Sequence, residues 1–95
     1  MPRAISESLV NDERVIVTKW SLPSGAETDH HTHGYDYLVI YLTDGTLTVE
    51  TEGQIIEAPI SKHTVTSRPA GVSHNVSNRS SGVVEFIEVE LKRSS

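Results

Sequence analysis

What most constrains this chain is how regularly it is punctuated. Short runs rich in Val, Ile, Leu and Thr recur along it, and each is closed within a few residues by Gly, Pro, Asn, Asp or Ser. No segment keeps a helical period long enough to dominate, so the pattern predicts an all-β domain, either a sandwich or a small barrel. Residues 13–20 read as a strand that stops at the turn Leu22-Pro23-Ser24-Gly25. Residues 35–42 are almost continuously apolar or aromatic, the expectation for a strand buried on both faces. Asp44-Gly45 follows at once and predicts a hairpin into residues 46–51, whose alternation turns Leu47 and Val49 inward. Residues 54–58, 64–66, 73–77 and 82–91 read as further short strands. A short helix could form over residues 5–10, where Ser6 and Ser8 offer caps. Arg93-Ser94-Ser95 reads as a frayed end.

The chain's 95 residues suit a single domain, residues 1–95, with one modest core. Aromatic residues make up only 5%, so that core must rest on aliphatic, strand-forming side chains. There is no cysteine, which removes disulfides, thiolate ligands, iron–sulfur clusters and a cysteine nucleophile together. The first residues carry no long apolar stretch and no run approaches the roughly 18 apolar residues of a membrane span, so a soluble cytoplasmic protein with no membrane partner is expected. Thirteen acidic against eight basic residues leave a formal charge of −5 without any basic stripe, and nucleic acid is not an expected partner.

Three histidines carry the chemistry. In His31-Thr32-His33 the two imidazoles lie on one face of an extended strand, because side chains alternate. Pro69-Ala70-Gly71 is a type II turn signature that can end one strand and aim His74 from the start of the next. Neutral imidazole suits zinc, iron, nickel and copper; the expected cofactor is a divalent zinc, iron, manganese or nickel ion, among which the ligand types do not choose. His30 should face away from its neighbour His31, and His63 beside Lys62 sits in a probable-turn segment of solvated residues; both stay outside the expected site. Arg68 either meets a surface carboxylate or holds an anionic ligand, with the surface role the commoner for arginine. Asn78 is expected to satisfy backbone groups near a strand end. Ser24, Ser73 and Ser77 lack the context of a nucleophilic triad.

At these residues the chain resembles the cupin superfamily, small jelly-roll β-barrels (double-stranded β-helices) that hold a metal inside. Gly25, His31, His33 and Gly45 match the first cupin motif, and Pro69, Gly71, His74 and Asn78 match the second. The motif's glutamate is missing: its place falls on Tyr37 or Leu38, with Asp36 adjacent. The glycine that opens the second motif is also absent. Three histidines alone leave a divalent ion at net +2, where three histidines and a glutamate leave +1, and the more positive ion is the stronger Lewis acid. Regular alternation from His33 would put Tyr35 and Tyr37 on its face and Asp36 on the other, whereas a bulge at Gly34 would exchange them. Asp36 then orients an imidazole N–H or acts directly, and Tyr37 packs or acts in the site; these two are the candidate catalytic residues. Tyr41 is expected to pack in the core.

The resemblance implies a metal-binding protein acting on a small anionic or carbonyl-containing metabolite, as a dioxygenase, isomerase or lyase. Its alternative is a barrel that binds or senses a small molecule or metal without chemistry. A second acid–base group inside the barrel would favour the enzyme. An exposed strand edge over residues 15–20 would pair with a second copy, giving a homodimer.

Overall fold

The computed structural model describes residues 2–92. Their turn residues divide the chain into β1 (Ile5–Asn11), β2 (Val15–Leu22), β3 (His31–Thr32), β4 (Asp36–Tyr41), β5 (Gly45–Thr51), β6 (Gln54–Ile60), β7 (Val65–Arg68), β8 (Ser73–Ser77) and β9 (Val84–Leu91). They pair into a five-stranded sheet, β1-β2-β9-β4-β7, and a four-stranded sheet, β3-β8-β5-β6. Every strand pair is antiparallel, and the chain crosses repeatedly between the sheets to make the jelly-roll barrel that the motifs imply. The expected end at Arg93-Ser94-Ser95 lies outside the described residues.

The core lies between the sheets and is aliphatic, as the composition requires. Leu22, Val39, Leu47, Val76 and Val84 are buried with Tyr37 and Phe86, and Val49 and Tyr41 pack against them. Tyr41 meets Phe86 edge to face, with ring centroids 6.3 Å apart. Asn78 is fully buried; its Nδ2 donates to the carbonyls of Leu22 (2.8 Å) and Gly82 (2.7 Å), the backbone role expected of it.

Four expectations are corrected. Asp44-Gly45 makes no hairpin, because β4 pairs with β7 and β9 while β5 pairs with β6 and β8, so this turn carries the chain from one sheet to the other. The tight hairpin is the next one: Glu52 (φ 51°) and Gly53 (φ 76°) link β5 to β6, both in the left-handed region that a two-residue type I′ turn needs. Strand β4 is buried on one face only. Tyr37 and Val39 point inward, and Leu38 and Ile40 lie half-buried on the outer face opposite Val89 and Ile87, because a strand in a two-sheet fold has one inner side. Residues 5–10 belong to a strand, β1, exposed along its length and bulged between Ser8 and Val10. Finally, β2 offers no edge for a second copy, since β1 covers one side of it and β9 the other.

Candidate metal centre and cavity

His31 and His74 are direct cross-strand partners on β3 and β8, and His33 follows two residues on. The turn that delivers His74 is tied to this segment on both sides: His33 N–H donates to the Val72 carbonyl (2.9 Å) and Gly71 N–H to the His33 carbonyl (2.8 Å). Gly71 adopts φ 94°, the left-handed position for which a type II turn selects glycine. The three rings meet nearly at right angles, with centroids 4.7–5.1 Å apart. Their Nε2 atoms converge, 3.1 Å from His31 to His33 and 3.1 Å from His33 to His74.

That convergence fits a divalent cation. Metal–nitrogen bonds of about 2.0–2.1 Å place neighbouring donor nitrogens roughly 2.9 Å apart at a right angle and roughly 3.3 Å apart at a tetrahedral angle. His31 Nδ1 lies 2.8 Å from the Asp29 carbonyl, so it carries the proton and leaves the Nε2 lone pair facing the centre. Burial, with the charge of His31 adding to it, lowers the pKa of His33 to about 4. Burial also lowers His74 to about 4, reinforced by the other two histidines and Arg68. Both rings are neutral at pH 7, the ligand form. His30 and His63 are exposed and outside the cluster, as expected.

The opposite wall comes from β4, β7 and β9. Tyr37 is buried and lies flat on His33, ring centroids 3.9 Å apart and 19° from parallel. Its hydroxyl has no hydrogen-bond partner among the described residues, and burial, with the nearby Glu88, pushes its pKa up to about 12, so it stays protonated. Asp36 touches none of the three imidazoles: its Oδ1 accepts the Ala70 N–H at 2.8 Å and so braces the turn before His74. The backbone bends at Gly34 and Tyr35 after the two-residue β3, which leaves Tyr35 exposed and Tyr37 inside.

Sequence reasoning missed Glu88. It lies on β9 in the inward-facing alternation with Val84 and Phe86, the pattern that could have revealed it. It is 9% exposed, its Oε1 accepts Trp20 Nε1–H at 3.2 Å, and its Oε2 lies 4.0 Å from His33 Nε2. Burial raises its pKa to about 7 against the opposing hydrogen bond from Trp20. With Glu90, it and His33 form a second group of donor atoms close enough to share an ion. A carboxylate therefore stands beside the histidines, supplied by a strand far from the motif that lacks one.

Below the histidines, a cavity of about 430 Å³ runs between the sheets, within the range of small-molecule pockets. Tyr37, Val39, Thr66, Arg68 and Glu88 line it from the five-stranded sheet, and Leu47, Val49, His74 and Val76 from the four-stranded sheet.

A jelly roll carrying both histidine motifs defines the class, and the comparisons agree. The family model described as a cupin domain matches residues 18–90, and the chain belongs to the cupin family. Among curated proteins, the chain is 46% identical over 91 residues to the β-alanine degradation protein BauB of Pseudomonas aeruginosa, covering 96% of each. Among solved structures, a cupin domain from Bordetella pertussis Tohama I is 39% identical, with a TM-score of 0.94 over 97% of this chain and 96% of that one. An RmlC-like cupin with a double-stranded β-helix fold from Methanocaldococcus jannaschii is 24% identical, covers 96% of this chain and 82% of its own, with a TM-score of 0.80, and supports the fold alone.

Proposed function

We propose that the protein is a metal-dependent enzyme acting on a small anionic or carbonyl-containing metabolite, with His31, His33 and His74 holding a divalent ion. The observation that carries this reading is the convergence of three Nε2 atoms at 3.1 Å spacings, with the His31 tautomer fixed from outside. With His33 and His74 protonated at Nδ1, as His31 is, the three Nε2 lone pairs would converge on one point that a cation would occupy. When bound, the ion would supply Lewis acidity toward a carbonyl or carboxylate oxygen, or oxygen activation if it is iron.

Glu88 favours the enzyme over a purely binding barrel, because it is the acid–base group inside the barrel that proton transfer requires. A carboxyl with a pKa of about 7 is poised to take a proton at Oε2 from a substrate carbon and return it. Tyr37 donates its Oη–H to a substrate oxygen, and Asp36 acts only by holding the turn before His74. The name of the Pseudomonas relative ties that protein to β-alanine degradation, in keeping with a small carboxylate-bearing metabolite for this chain.

A cytoplasmic homodimer completes the proposal. Strand β1 is an exposed sheet edge, and its Ile5, Leu9 and Val10 are exposed apolar residues. Light scattering at tens of micromolar should give twice the chain mass, and a monomer there would remove the dimer. No helix of the described residues is long and apolar enough to cross a membrane.

The functional reading is tested by stripping the protein with a chelator and restoring zinc, iron, manganese or nickel singly. The expected result is a rise in Tm with at least one metal in the wild type and none in His31→Ala/His74→Ala. Equal melting of both proteins with every metal would overturn it.

A further inference from the structure

Three polar groups that line the cavity beneath the histidines lack partners among the described residues. Tyr37 is 1% exposed and its hydroxyl is unsatisfied; Thr66 Oγ1 on the neighbouring strand β7 is also buried without a partner among the described residues. Arg68, on the cavity wall directly across the strand pair from Tyr37, forms no ion pair among the described residues. Leaving a buried hydroxyl unpaired costs about 1–3 kcal/mol, so two such groups beside an unpaired guanidinium mark a place that a ligand oxygen completes. Across from these three groups, the four-stranded sheet presents the aliphatic side chains of Leu47, Val49 and Val76 to the cavity.

We infer that this cavity binds a small monocarboxylate with an apolar body, its carboxylate held by the Arg68 guanidinium and the Tyr37 and Thr66 hydroxyls and its hydrocarbon end lying against Leu47, Val49 and Val76. The inference rests on the proposed function and narrows its metabolite class. Arg68 matches a carboxylate in charge and in its paired donors, and it repels an ammonium group. A dicarboxylate would place its second charge against aliphatic side chains, where nothing compensates the lost hydration. A hydrocarbon end gains there instead.

Calorimetric titration of the full chain, both chelator-stripped and zinc-loaded, with acetate, butanoate, hexanoate, hexylamine, hexanamide and adipate tests this. The expected result is affinity rising from acetate to hexanoate by up to about fourfold per methylene, the equivalent of roughly 0.8 kcal/mol per buried CH₂. Hexylamine, hexanamide and adipate should bind at least tenfold more weakly than hexanoate. Arg68→Gln, an exposed position that the fold tolerates, should weaken hexanoate at least tenfold, and Tyr37→Phe about fivefold. Adipate or hexylamine equal to hexanoate, or Arg68→Gln without effect, overturns the inference. Binding that needs zinc, stays flat from acetate to hexanoate and ignores Arg68→Gln also overturns it while the metal reading stands. Stripped protein that takes up no zinc yet binds hexanoate through Arg68 overturns the metal reading and leaves this inference in place.

Discussion

The two walls of the barrel's polar end are built in different ways. On the four-stranded sheet, β3 and β8 bring His31 opposite His74 and, with His33 two residues on, bring three Nε2 atoms together at two 3.1 Å contacts, with His31 and His33 tied by local backbone bonds. On the five-stranded sheet, β4, β7 and β9 contribute Tyr37, Arg68 and Glu88, which are distant in sequence. Two of these, Tyr37 Oη and the Arg68 guanidinium, have no partner among the described residues, and Glu88 has only Trp20 and the neighbouring His33. On the proposed reading, the first wall needs only a cation to complete it, whereas the second needs a ligand. Metal binding and substrate binding should therefore respond separately to mutation.

The largest separation is expected from His33→Ala, which removes the nitrogen shared by both 3.1 Å contacts. Metal affinity, measured by competition with a chelator, should fall by more than the roughly 10–100-fold that losing a ligand's hydrogen-bond partner costs. Tyr37→Ala comes next. Emptying the buried ring position should cost about 3–5 kcal/mol in urea unfolding of the metal-free protein, whereas Tyr37→Phe, which removes an unpaired hydroxyl, should leave the midpoint unchanged or higher. Asp36→Ala frees the Ala70 N–H and should cost about 1 kcal/mol, with a small loss of metal affinity because the turn before His74 loosens.

A further difference between the two walls is a pH slope. Unfolded histidines titrate near 6.5, but His33 and His74 stay unprotonated in the fold down to about 4, so between these values the unfolded chain binds more protons and the metal-free fold weakens as pH falls. Glu88 acts in the opposite sense: the fold keeps it protonated up to about 7 from an ordinary 4.5, so its contribution is lost as pH rises through that window. Glu88→Gln removes the opposing contribution. Its urea midpoint should drop more steeply than the wild type's between pH 6.5 and 4.5, and parallel slopes would contradict the buried, protonated Glu88.

The same contrast explains what could be read from the sequence. His31, His33 and His74 were legible because alternation and a type II turn are local rules, and strands β2 and β8 were legible for the same reason. Strand pairing is not local. Asp44-Gly45 has the composition of a hairpin, yet β4 finds its partners in β7 and β9, and the sheet switch depends on them. Residues 5–10 offer helix caps, but an edge position beside β2 makes them a strand. On β9, Ile87 and Val89 lie opposite Ile40 and Leu38 on the outer face while Glu88 points in, a choice of face that rests on the register of β9 against β4. Arg68 lies on an exposed strand, so its place on the cavity wall emerges only once β7 is registered against β4.

The most direct test of the three-histidine centre is elemental analysis of protein purified without an affinity tag, with His31→Ala/His74→Ala prepared in parallel. The account predicts close to one equivalent of a single divalent metal per chain in the wild type and a negligible amount in the variant. Equal, negligible metal in both, persisting after incubation with each candidate ion, would contradict it.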